Sequence, residues 1–258
     1  MLPNRIKNII INTGNLINCK EFKKRATQSP TEEVFDSVSC TFKSWLESVE
    51  GNSVANFSHI FCVNKDHAIT VEKEDRINLK ISVKVFLANY STEDLEASVS
   101  QVMKDLDVSV IDSLILSLPP PPNAETLTLA HMKPLWKVLE QLVHDGKVVT
   151  IGISDLDTHQ LAELYDWTEV KPSVNQVNLE SCCVMPPEMT AFARANDIQL
   201  LTHNDPKDLL PKTLQPKILE SGIANPDEWK VNWIVRYSVI VKCRGIIQNK
   251  GYVLQFVK

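Results

Sequence analysis

Glycine is scarce in this chain, 7 in 258 residues, and nowhere falls into G-x-G-x-x-G or a P-loop. That weakens a doubly wound nucleotide-binding sheet, which seats phosphate on such a loop. The six cysteines, Cys19, Cys40, Cys62, Cys182, Cys183 and Cys243, form no C-x-x-C, and no His stands at metal-ligand spacing beside them. Neither a disulfide scaffold nor a zinc site is signalled, so reduced thiols are expected. Adjacent Cys182 and Cys183 read either as a redox pair or as two small residues in a loop near the core. No stretch approaches the roughly 20 apolar residues of a membrane helix, and the apolar patch near the N-terminus is too short for a signal sequence. A cytoplasmic location is the resulting expectation. An excess of positive charge is missing too: the net charge is −5 and the pI near 5.7. A basic face for nucleic acid or an anionic membrane is thereby disfavoured, and Lys20, Lys23, Lys24 and Arg25 read as a solvated face.

What is present is ordinary globular chemistry, 43% hydrophobic and 23% charged, in a chain long enough to bury roughly three quarters of its unfolded surface. One domain over residues 1–258 is expected. Ser29, Pro30 and Glu32 have capping-box spacing with Pro at the first helical position, and Val34, Val38, Phe42, Trp45 and Val49 follow at helical spacing, with Gly51 as a stop. "KNIIINTG", "HIFCV", "LKISVKVFLA" and "VIDSLILSLPPPP" read as strands, with a helix over 92–106. The alternation continues: helix "HMKPLWKVLEQLV", strand "KVVTIGIS", helix "DTHQLAELYDW", strand "PSVNQVNL", helix "PPEMTAFARAN" and strand "DIQLLTH". A final helix "DEWKVNWIVRYS" and strand "VIVKCRGII" complete the series. About eight βα units imply a parallel sheet closed into a (β/α)8 TIM barrel, with any chemistry in loops at the C-terminal ends of the strands.

The segment "KVVTIGISDLDTHQLAELYDWTEVKPSVNQVNL" resembles the aldo-keto reductase family, in which one strand ends in Gly-x-Ser-Asn and the next carries Pro-x-x-Asn-Gln. The resemblance implies a nicotinamide cradle at Ser154, Asp155 and Gln176. Asp155 stands where the family has Asn, and an ionised Asp only accepts hydrogen bonds, so a two-sided grip on a carboxamide is lost. It reads equally as a helix-entry residue satisfying exposed amides. The family's last-strand phosphate-binding phrase maps onto "IVKCRGIIQNKGYVLQFVK", which keeps Lys242, has Cys243 where the family has Ser, and lacks the long C-terminal loop.

The reductase tetrad also maps incompletely. "DSLILSLP" places Ser117 where the resemblance expects His, and "DHAITV" supplies Asp66 and Ala68 but Val71 at the Tyr position. Lys84 of "SVKVFL" matches the Lys, although a solvent-facing strand Lys would look the same. Without the proton donor, a contribution of roughly 10²–10⁴ in rate is missing, so carbonyl reduction is not expected.

More narrowly, "TGNLIN", "VNQVNLESCCVMPPEMTAFARANDIQLLTHNDPKDLL" and "WIVRYSVIVKCRGIIQNKGYVLQ" resemble the regulatory, or modifier, subunits of glutamate–cysteine ligase, a degenerate branch of the reductases. That resemblance implies a heterodimer with the catalytic ligase subunit, better apparent glutamate affinity and relief of glutathione feedback inhibition. No cofactor is required on this reading, and the vestigial positions Ser154, Asp155, Gln176 and Lys242 leave room for residual NADPH binding. The alternatives are an NADPH-dependent reductase with an unfamiliar donor and a dead barrel that still binds NADPH. The segment "NDPKDLLPKTLQPKILESGIANPDEW" reads as an interaction loop or a solvated insertion. Trp229 and Trp233, one helical turn apart, are interface anchors or core. Cys243, between Lys242 and Arg244, is either a thiol with thiolate character or a buried inert one.

Overall fold

The computed structural model describes residues 1–19, 28–49, 57–64, 67–121, 126–178 and 184–258. Lys20–Arg25, Gly51, Asp66 and the Cys182–Cys183 pair lie outside them. Chain order runs β1 (Asn8–Asn12), α1 (Pro30–Ser48), β2 (His59–Val63), β3 (Leu79–Leu87), α2 (Thr92–Leu106), β4 (Ile111–Ser117) and α3 (Leu129–His144). It continues with β5 (Val148–Ser154), α4 (Thr158–Trp167), β6 (Val174–Asn178), α5 (Pro187–Ala195), β7 (Gln199–His203), α6 (Gln215–Leu219), β8 (Lys230–Val241) and β9 (Ile246–Val257). The expected helix start is there: Ser29 accepts from the Glu32 amide while the Glu32 carboxylate takes the Ser29 amide.

The α/β class and the mostly parallel sheet agree with the sequence. The last unit does not. "DEWKVNWIVRYS" is a strand rather than a helix, because Val231, Trp233, Val235, Tyr237 and Val239 alternate along it and β-branched residues favour extended backbone. β8 and β9 form a long antiparallel hairpin, β8 pairing with β3 and β9 with β1, in the order β2-β1-β9-β8-β3-β4-β5-β6-β7. β2 and β3, neighbours in an uninterrupted eight-stranded barrel, therefore lie on either side of β1 and the hairpin. No pairing joins β2 to β7 among the described residues.

The hairpin feeds two cores. Trp233, Val235, Tyr237, Val239 and Val253 pack with α2, α3 and α4 on one face. Ile234, Tyr252, Leu254 and Phe256 pack with Ile9, Ile11 and the Val34–Val38–Phe42 stripe of α1 on the other. β1 and β2 run opposite to β3–β7, because three antiparallel pairings separate β1 from β3. The segment 204–229 is neither a solvated insertion nor a free interaction loop, since Leu209, Leu210, Ile218, Leu219 and Trp229 are buried in the second core. Trp229 and Trp233 are both core, on a 3-10 turn's cap and on β8, not on one helix.

Candidate functional site

On the face of β3–β7 opposite α2–α5, the register aligns Lys84 with Arg236, Phe86 with Ser117, and Ser154 with Gln176. His203 stands beside Asn178 at the end of β7. A polar row thus caps the C-terminal ends of the strands. In a flat sheet four steps of about 4.8 Å would hold β3 and β7 roughly 19 Å apart. Yet Asp205, two residues beyond β7, puts Oδ2 2.9 Å from Lys84 Nζ, so the sheet is rolled toward this face.

Asp205 is the hub. Arg236 grips it in a fork, Nη1 to Oδ1 at 2.5 Å and Nη2 to Oδ2 at 2.9 Å, and the side chains of Lys84 and Asp205 are only 5% and 2% exposed. Burial opposes the charge, but His203 and the two cations outweigh it and hold the Asp205 carboxyl far below its usual range. Burial lowers the Lys84 pKa against the pull of Asp205. The Asp205 amide donates to His203 Nδ1 at 3.1 Å, so the neutral ring carries its hydrogen on Nε2, which donates to Asp155 Oδ1 at 2.9 Å.

The four cradle positions part company. Asp155, at φ 64°, uses Oδ1 for the Asn178 amide at 3.0 Å and for His203, which together outweigh burial and lower its pKa. It is not the helix-entry cap, a place taken by Asp157, whose side chain accepts from the Gln160 amide. Ser154 Oγ and Gln176 Oε1 are buried without a hydrogen-bond partner. Lys242 is elsewhere: its amide donates to Asn78 O, before the start of β3, about 23 Å along the strands from the level of Val85. Two orphaned polar atoms would welcome a ligand, but the acid beside them is engaged internally and the cation meant for the phosphate is at the wrong end of the sheet. These residues do not fit NADPH as the reductase pattern holds it.

Of the tetrad positions, Asp66 lies outside the described residues. Val71 is buried in the helix-side core and bonded through its amide to Leu106 O, not facing Lys84. Ser117 lies on the polar face, at the end of β4. Tyr252, paired with Arg236 across the hairpin, is no substitute donor. Burial pushes its pKa upward, and its hydroxyl donates to Glu33 at 2.6 Å. His203, Asp205 and Arg236 are the residues that sequence reasoning missed. The His-x-Asp ending of "LLTHND" was their one local signal, and Arg236 was hidden by the helix expected over it.

A rolled, mostly parallel α/β sheet with a polar row at the strands' C-terminal ends, where a lysine is bonded to a buried aspartate, defines a reductase-like scaffold. The aldo/keto reductase family model matches residues 64–205. Human glutamate–cysteine ligase regulatory subunit is 42% identical over 257 residues, 97% of this chain and 93% of that one. The mouse protein of that name is 41% identical over 255 residues, 97% and 93% of the two chains. A solved structure of aldose reductase from Giardia lamblia shares 20% identity over 66% of this chain and 53% of that one, with a TM-score of 0.37. The chain belongs to the aldo/keto reductase family and, within it, to the glutamate–cysteine ligase regulatory subunits.

Proposed function

We propose that this chain is a non-catalytic partner of the glutamate–cysteine ligase catalytic subunit. It forms a heterodimer in the cytoplasm, improves apparent glutamate affinity and relieves glutathione feedback. The observation that carries the reading is the 42% identity, over 97% of the chain, to a protein named as that ligase's regulatory subunit. The site supports it. Lys84, the match to the tetrad lysine, is bonded to Asp205, and among the described residues no tyrosine hydroxyl bonds to it. In physical terms the chain binds the active conformation of the ligase more tightly than the inactive one, a coupling of about 1–3 kcal/mol.

The test is a titration of this protein into purified catalytic subunit. A saturable fall in apparent KM for glutamate, with weaker glutathione inhibition, is expected, and no change with a folded protein would overturn the reading. Neither NADPH turnover nor an NADPH requirement is part of the proposal. An aldehyde panel should show no cofactor oxidation, and calorimetry with millimolar NADPH should show no heat, because Lys242 cannot reach the Ser154–Gln176 corner.

A further inference from the structure

The corner where β5 and β6 end keeps buried polar atoms that the fold does not serve. Ser154 is 5% exposed, and its Oγ and Gln176 Oε1 are both buried without a hydrogen-bond partner. Buried polar atoms are normally bonded, so two unserved ones side by side point to a partner from outside the chain. They are side by side: Ser154 and Gln176 pair in register on adjacent strands about 4.8 Å apart, which puts their side chains on one face. Asp155 closes the corner. Its amide donates to Gln176 O at 2.9 Å, and the backbone turns there at φ 64°. The carboxylate lies over β6, where Oδ1 accepts from the Asn178 amide at 3.0 Å and from His203 at 2.9 Å. Its Oδ2 accepts no hydrogen bond among the described residues, and the side chain is 46% exposed, giving the corner a mouth.

All three groups offer oxygen to a donor. Ionised Asp155 can only accept, Gln176 presents its carbonyl oxygen, and a serine hydroxyl accepts as readily as it donates. An Asn at position 155, as in the reductase pattern, would add an N–H and suit a carboxamide. Asp155 instead suits a group that has donors only and carries positive charge. The nearby cations do not oppose this, because Lys84 and Arg236 both bond to Asp205. A divalent metal ion would need about six oxygen ligands, and among the described residues no three His, Cys, Asp or Glu side chains come together to hold one.

We infer that the Ser154–Asp155–Gln176 corner binds the primary ammonium group of a small molecule. The three N–H donors of such a group match one carboxylate and two neutral oxygens, and the bond to Asp155 is charge-assisted. The single replacement of Asn by Asp thus turns a carboxamide grip into a cation grip. The inference goes beyond the regulatory reading and does not depend on it.

The experiment follows backbone amide NMR shifts of the full-length chain during separate titrations with ethylammonium, acetamide and potassium chloride at matched ionic strength. The Asp155, Gln176 and Asn178 amides should move saturably with ethylammonium and little with the other two. Asp155→Asn keeps an oxygen for the Asn178 amide and His203 while removing the charge; it should weaken ethylammonium by at least about fivefold and let acetamide bind. Ser154→Ala leaves the Asp155 bonds alone and should weaken ethylammonium by a few-fold, which tests the corner even where Asp155→Asn fails to fold. Equal responses to ethylammonium and acetamide, responses that potassium reproduces, wild-type affinity in both variants, or no response from the folded wild type would each overturn the ammonium site. None of these results would touch the ligase titration, whose outcome stands on its own.

Discussion

Replacing Asp205 with Asn asks whether the charge cluster holds the rolled sheet together. In the folded protein this carboxylate neutralises Lys84 at 2.9 Å and Arg236 through two bonds, and its side chain is 2% exposed. Removing one partner of a buried pair typically costs about 3–5 kcal/mol, because the remaining charge is left desolvated, and here two cations lose their counter-ion. A midpoint drop of roughly 6–20 °C follows, at about 2–4 °C per kcal/mol for a chain of this size. Lys84→Met is the control. It leaves the Arg236 fork in place and should cost only about 1–3 kcal/mol. The two changes share a hub, so their combination should be less destabilising than their sum, by about 0.5–3 kcal/mol. Urea unfolding at neutral pH measures all three. A loss below about 1 kcal/mol for Asp205→Asn, or strict additivity, would mean that water already serves these groups and that the cluster does not hold the roll.

Other expectations concern pH and backbone. The two carboxylates outweigh burial and raise the His203 pKa, so its stabilisation is complete below the unfolded value of about 6.5 and fades as pH rises through the higher folded value. The wild-type advantage over His203→Gln, followed by urea midpoints from mildly acidic to alkaline pH, should shrink as pH rises; a constant or widening gap would count against the bridge. Gly14 sits at φ 65° with the His67 carbonyl oxygen 2.1 Å from where a Cβ would lie, so Gly14→Ala should cost more than about 2 kcal/mol in the same assay. Buried Glu140 accepts the Glu169 and Val170 amides, and Glu140→Ala should cost about 2–3 kcal/mol by orphaning them. Its ion-pair partner Lys137 is exposed, and Lys137→Ala should cost no more than about 0.5 kcal/mol. Equal losses for the two would refute that division.

The α/β rhythm was legible because local physics wrote it. The Ser29 box, the apolar stripe of α1 and the β-branched run of β3 each specify one conformation without help from distant residues. β8 was misread because Trp229 and Trp233 share helical spacing while the same stretch alternates with period two. Pairing with both β3 and β9 decides for the strand, and neither partner is local. That error moved Lys242 in expectation to the cofactor corner, when the antiparallel hairpin carries it to the opposite end.

By itself the sequence determined the class, the number and order of most elements and the family, all of which depend on local propensity or residue identity. Tertiary structure alone decided that the hairpin enters between β1 and β3, that His203, Asp205 and Arg236 converge on Lys84 and Asp155, and that Lys242 is carried to the far end of the strands. Those outcomes join residues far apart in the chain, 121 positions in the Lys84–Asp205 bond, and only the strand order and the roll of the sheet bring them within reach.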